Sequence, residues 1–273
     1  MQKSEITLYK LNTMGSSSIQ GKLWGQNPGD WATIQEPTGQ SGYEHALQYL
    51  KTKPRHKLLD VGCGTGLFSD LAYKQGMDVT GIDATKELIE LARKRNPKIP
   101  FAVGEMEDLP FADNSFDVVC GFNSFQYAAN MHNAFLESKR VLKKNGQIIV
   151  MIWGNKEDCE ASSVLKALGS LLPPPPPGAG GPFALSENQL LEKTLQEVGF
   201  TIISRNDIES VWEYPNSETA LKGLLSAGPA AKAIEYSGTE KVHETMKSAL
   251  LPHTDDDGRV VYHNKWRVVI CEK

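Results

Sequence analysis

Through the middle of the chain, short apolar runs alternate with stretches in which apolar residues recur at helical spacing. Leu58, Leu59 and Val61 form the first run, the pattern of a strand buried on both faces. Further strands are expected at 77–83, 99–103, 116–122 and 147–153, the last introduced by an Asn145-Gly146 turn. Residues 67–75, 85–95 and 130–143 read as the intervening helices, with Gly76 as a C-cap and Pro97 as a stop. Tyr43, Leu47 and Leu50 place another helix before the first strand. This alternation predicts an α/β fold of three layers, a doubly wound and mostly parallel sheet between helices. Later, Ser186 has the chemistry of a helix N-cap, that helix ends at Gly199, and 200–204 is a strand. Helices are expected around 217–226 and 230–251. A final strand, 260–262 and then 265–270, would be antiparallel at the sheet's far side.

The densest group of special residues follows the first strand: Asp60-Val61-Gly62-Cys63-Gly64-Thr65-Gly66. Glycines let the backbone turn sharply and approach a ligand, and the next helix aims its free N–H groups at the same place. The dinucleotide fingerprint does not fit, because its third glycine would fall on Leu67 or Ser69. Asp60 at the entrance would repel a pyrophosphate and favour a cation.

This stretch resembles motif I of the class I S-adenosylmethionine-dependent methyltransferases, and the wider pattern is similar to the ubiquinone/menaquinone-biosynthesis-like (type 11) group. Gly104-Glu105-Met106-Glu107-Asp108-Leu109-Pro110-Phe111 resembles that family's G-D-A-x-x-L-P-F segment, with Glu for Asp and Met for Ala. Arg140-Val141-Leu142-Lys143-Lys144-Asn145-Gly146 resembles its R-V-L-K-P-G-G approach to the fifth strand. The resemblance implies strand order 3-2-1-4-5-7-6 and S-adenosyl-L-methionine as cofactor. It implies a cofactor site made of Asp60, Gly62, Cys63, Gly64, Gly66, Asp83, Ala84, Glu105, Met106, Phe122 and Asn123. Asp83 would take the ribose hydroxyls, its alternative being the N-cap of the following helix. Glu105 and Met106 would meet the adenine, or else form a surface acidic loop. Phe122 or Asn123 would touch the methionyl portion.

Trp24 and Trp31 would close the site from the N-terminal side, or anchor their helix to the sheet edge. Gln35, Glu36 and Tyr43 are polar groups able to face the same cleft. Tyr127 and His132 are the substrate-pocket candidates, against packing for the first and a solvated helix position for the second. The sulfonium is already activated, so the chemistry needs alignment above all, and no catalytic residue is assigned.

Composition narrows the setting. The chain has 273 residues, 40% hydrophobic and 23% charged, with a net charge of −4. That charge gives no general pull toward nucleic acid. The basic run of Lys51, Lys53, Arg55, His56 and Lys57 reads as the solvated end of a helix. The four cysteines are scattered and neither they nor the six histidines have metal spacing, so no metal or disulfide framework is expected. A reducing cytoplasm suits this cysteine usage. No signal peptide or membrane span is read, and Met14 is an alternative start.

The expected organisation is an N-terminal extension and cofactor-covering segment over 1–45 and a methyltransferase domain over 46–273. Cap insertions are expected at about 154–185, helical over 158–172, and at 207–258. The prolines at 173–177 form a stiff stretch before glycines, read as part of a lid, with an SH3-type ligand as the alternative. The expected reaction is methyl transfer to an O, N or C atom of a small-molecule acceptor by a monomer or homodimer. The alternatives are methylation of RNA or protein, or cofactor binding without transfer in a regulatory protein. The nucleobase and amide motif (Asn/Asp-Pro-Pro-aromatic) is replaced by Asn123-Ser124-Phe125-Gln126, and Cys120 falls within a strand.

Overall fold

The computed structural model describes residues 15–50, 55–175 and 180–273. The strands are β1 (Lys57–Val61), β2 (Asp78–Asp83), β3 (Phe101–Val103), β4 (Phe116–Phe122), β5 (Leu142–Trp153), β6 (Thr201–Tyr214) and β7 (Val260–Glu272). They form a single seven-stranded sheet in the order β3-β2-β1-β4-β5-β7-β6. The first five are parallel, and β7 runs antiparallel between β5 and β6. This is the mixed α/β sheet that the alternating pattern predicts.

Alternation along the central strands splits the core in two. Leu58, Val79, Val118, Cys120 and Ile149 face one layer, packed with α3 (Gln40–Leu50), α4 (Leu67–Lys74) and α5 (Lys86–Arg95). Leu59, Val61, Val119, Ile148 and Val150 face the other, packed with α6 (Met131–Val141) and α8 (Leu190–Glu197). Leu58, Leu59, Ile148 and Ile149 are fully enclosed, and each such side chain contributes roughly 2 kcal/mol through burial. A sheet covered on both faces opens only at its strand ends, and the ligand cavity lies at the carboxyl end.

Several boundaries differ from the sequence reading. α6 begins at Met131, where the Asn130 side chain accepts the Asn133 N–H at 3.2 Å. β5 starts at Leu142, and the Asn145-Gly146 turn is an irregularity in its pairing with β4. Ser186 does not cap α8: its hydroxyl donates to the Gly154 and Phe183 carbonyls, and α8 begins only after Asn188 and Gln189 in left-handed conformation. In the first cap region the helix is limited to α7 (Ser162–Gly169).

The second cap region begins later than expected, because β6 continues through Tyr214 as a long ladder with β7. There follow α9 (Ser217–Leu225), α10 (Gly228–Ser237) and α11 (Thr239–Leu250). α10 and α11 replace the single helix read at 230–251, parted by Gly238 in a left-handed region no other residue type takes easily. β7 is continuous through His263 and Asn264. Residues 1–14, with Met14, and also Lys51, Lys53, Pro176, Pro177 and the two residues after them, lie outside the described residues.

N-terminal to α3, the chain forms α1 (Ser17–Trp24), the single turn α2 (Pro28–Asp30), a π-helical turn Trp31–Gln35 and a 3-10 turn Glu36–Gly39. α1 packs on α10, and the π turn packs on α9. The N-terminal segment and the second cap region therefore meet over the carboxyl edge of the sheet.

Candidate functional site

The site starts from the turn after β1. The N–H groups of Gly62 and Cys63 both donate to the Ile82 carbonyl, at 2.8 and 3.1 Å. Gly62 sits at φ +73°, where a Cβ would collide with Ser124. Gly64 sits at φ +55°, where a Cβ would lie 2.8 Å from Glu36 Oε1. The turn thus needs glycine twice over, for its dihedral angles and for its close neighbours.

Asp83 ends β2 beside it. One carboxylate oxygen accepts the Gly64 N–H at 3.0 Å, and the other accepts the Thr85 N–H at 2.8 Å. The N-cap of α5 is Thr85 and not Asp83: Asp83 bonds the backbone just before the helix and lines the cavity. Each ionised oxygen has two lone pairs, so both retain capacity for a ligand donor. Burial raises this carboxyl above its ordinary range.

Glu105, after β3, is held by α1. Its Oε2 accepts the Ser17 N–H at 2.7 Å and its Oε1 the Glu107 N–H at 3.1 Å. The N-terminal segment is thereby tied to the loop that Met106 shares. Trp24 stands edge-on to Trp31 at 4.8 Å and to Tyr127 at 5.3 Å. It lies close against Gly228 of α10, where a Cβ would come within 2.6 Å of its indole nitrogen. The two tryptophans roof the cavity and meet Tyr127 and α10.

Glu36 joins this roof to the glycine turn. It accepts the Thr65 N–H at 2.8 Å, accepts the Thr65 hydroxyl, and pairs with Arg95 at 3.2 Å. Arg95 also donates to the Ala32 carbonyl at 2.9 Å. Burial pushes the Glu36 carboxyl up to about 7 despite those partners. Below the turn, Asp60 accepts the Ser69 hydroxyl at 2.6 Å and is pushed to about 7, chiefly by burial, with Glu36 and Asp83 adding to it.

Between the ordinary carboxylate range and about pH 7, both groups bind more proton in the folded chain than in the unfolded one. Their stabilising contribution is complete below the ordinary carboxylate range and is lost as pH rises through about 7. Thermal melts are expected to show a smaller loss of stability between pH 5 and 8 in Glu36→Gln than in the parent. An unchanged pH slope would show that Glu36 titrates normally.

A cavity of about 510 Å³ runs along the carboxyl edge. Of the expected site residues, it brings together Trp24, Trp31, Gly62, Gly64, Asp83, Ala84, Glu105, Met106, Phe122, Asn123 and Tyr127, with Gln35, Glu36 and Tyr43. Asp60, Cys63 and Gly66 do not line it. Asp60 and Cys63 are buried under the turn, and a Cβ on Gly66 would meet Phe101, so these three shape the turn from behind. His132 is exposed on the first turn of α6 and does not line the cavity either, which removes it from the pocket. Tyr127 lines it half-buried, its hydroxyl pushed up to about 12 by burial.

Pro173 and Pro175 of the proline run, and Pro182 beyond it, line the cavity. Sequence reasoning missed Trp153, Trp212 and Trp266, which form the far wall. Among the described residues, the charged side chains lining the cavity are Glu36, Asp83 and Glu105, all acids. No cluster of described residues could hold a metal ion, and no helix among them is long and apolar enough to cross a membrane.

Residues 59–150 match the family model described as a methyltransferase domain. The malonyl-[acyl-carrier protein] O-methyltransferase of Legionella pneumophila is 33% identical over 129 residues, 45% of this chain and 44% of that protein. The demethylmenaquinone methyltransferase of Renibacterium salmoninarum is 35% identical over 97 residues, 36% of this chain and 41% of that protein. The matched part spans less than half the length of either relative. In fold, the chain is similar to a solved structure of a putative methyltransferase from Bacillus halodurans, with a TM-score of 0.59 and 18% identity over 85% of this chain and 99% of that one.

Proposed function

We propose that this chain, whose residues 59–150 match a methyltransferase domain and whose sheet has the order β3-β2-β1-β4-β5-β7-β6, moves a methyl group from S-adenosyl-L-methionine to a small-molecule acceptor held in the cavity. One observation carries the reading: one cavity joins the glycine turn and the acid ending β2 to a chamber lined by the tryptophans and the cap helices, and among the described residues every charged side chain lining it is an acid. That donor set suits a ligand with a sulfonium and an ammonium group and disfavours one with phosphates.

Asp83 would hold the ribose hydroxyls through its remaining lone pairs. Glu105 and Met106 would flank the adenine. Phe122 and Asn123, at the end of β4, would meet the methionyl portion, with Trp24 and Trp31 closing over it. When bound, the cofactor supplies an activated methyl carbon whose bond to the acceptor atom forms as its bond to sulfur breaks, the electron pair staying on sulfur. The protein's own work is to align the two molecules and exclude water, which contributes several kcal/mol or more in well-oriented systems. Burial under the tryptophans and under α7, α9 and α11 suits that task. It also supports a small acceptor over RNA or a protein side chain, which would call for an open groove.

Titration calorimetry with S-adenosylmethionine and S-adenosylhomocysteine is expected to show one saturable site per chain. A mass-spectrometric screen is expected to find a methylated small molecule together with released S-adenosylhomocysteine. Absence of binding by either ligand would overturn the proposal. Binding with no acceptor turned over across the screen would favour a regulatory protein.

A further inference from the structure

The far end of the cavity differs in chemistry from the glycine-turn end. Its wall is Trp153 at the end of β5, Trp266 beside it on β7 and Trp212 on β6. Leu168, Leu172 and Met246 cover it from the cap regions. The three indoles are 5%, 3% and 3% exposed for Trp153, Trp212 and Trp266. They lie in mutual contact, with ring centroids 4.6, 5.3 and 6.0 Å apart. The Trp266 N–H donates to the Thr38 carbonyl at 3.3 Å, while the Trp212 N–H has no partner.

Charge decides what can enter. Among the described residues no lysine, arginine or histidine lines any part of the cavity. A carboxylate or phosphate there would be buried without a counter-charge, next to three acids, at a cost of several kcal/mol or more.

Building on the methyltransferase reading, we propose that the acceptor is an uncharged, largely apolar, ring-bearing molecule seated against the Trp153–Trp212–Trp266 wall. Its nucleophilic atom would point toward the end of β4, and the lining disfavours carboxylate and phosphate acceptors.

The test uses two probes of one shape: 2-naphthol and 2-naphthoate. Each is titrated into the full chain, alone and saturated with S-adenosylhomocysteine, with tryptophan fluorescence as readout. The expected result is at least tenfold tighter binding of 2-naphthol than of 2-naphthoate. Leu172→Arg, at a half-buried position, is expected to weaken 2-naphthol at least tenfold while S-adenosylhomocysteine affinity stays within twofold. Should that variant not fold, Leu168→Phe, which fills the chamber with apolar volume, is expected to do the same. Equal or tighter binding of 2-naphthoate, or 2-naphthol affinity unmoved in a folded variant, would overturn the proposal. Failure of S-adenosylhomocysteine to bind would sink the cofactor reading alone, because the ligand-free arm still reports on the chamber.

Discussion

Asp83→Ala is expected to weaken S-adenosylhomocysteine binding by about 1–3 kcal/mol, the worth of one or two hydrogen bonds to a charged group. At the upper end that is more than a hundredfold in the dissociation constant. The residue stands where β2 meets the glycine turn and holds both the Gly64 and Thr85 N–H groups. Part of the loss could therefore come from a loosened turn. Asp83→Asn separates the two effects, since its amide keeps one acceptor oxygen but donates where the carboxylate accepted. If ribose binding dominates, Asn is nearly as weak a binder as Ala, while the thermal midpoints of the two variants stay close to the parent. Calorimetric affinity equal to the parent in both variants would show that Asp83 serves only to hold the Gly64 and Thr85 backbone.

Arg267→Met is expected to destabilise the fold by about 3 kcal/mol, at the lower end of the cost of breaking a buried pair because one partner remains partly solvated. Arg267 is fully buried in the middle of β7. Its Nε and Nη2 donate to the two Asp207 oxygens at 2.8 and 2.9 Å, Nη1 donates to the Ser186 carbonyl at 2.9 Å, and Nη2 donates to Asn155 Oδ1 at 2.9 Å. One guanidinium thus ties β6, the chain after β5 and the turn before α8 to β7, holding the base of the first cap region. The Arg267 hydrogen bonds hold Asp207 below the ordinary carboxylate range. Its contribution is therefore present above that range and fades as the medium becomes acid, the reverse of Glu36. Urea denaturation should show a lower midpoint in the variant with an unchanged slope. A loss under 0.5 kcal/mol would mean that the methionine packs as well as the ion pair binds, as happens in some designed replacements.

The glycine turn and the five parallel strands were legible because their determinants are local. An apolar run of Leu58, Leu59 and Val61 has few conformations open to it except a buried strand, and glycines beside an acid have few uses except a ligand turn. Asp83 could be placed because one strand–helix–strand unit fixes the distance between neighbouring strand ends. His132 could not, since helical periodicity leaves the facing of a single polar residue on a helix's first turn undecided. Asp60 shows the opposite limit. Its position in the motif was evident, but whether its side chain faced the cavity or the core depended on the pleat, and Ser69 and Cys120 receive it from below.

What the chain's order of residues determined by itself was the parallel strands, their ends and the glycine turn that borders the cavity, since each rests on neighbours within a few positions. What only the tertiary structure decided was the tryptophan-walled end of that cavity. Trp153, Trp212 and Trp266 lie far apart in sequence, and they meet because β7 returns antiparallel between β5 and β6 and carries the long arm of β6 over the sheet's carboxyl edge. Strand pairing across such separations is set by global packing and not by local preference, so no stretch of residues announces it.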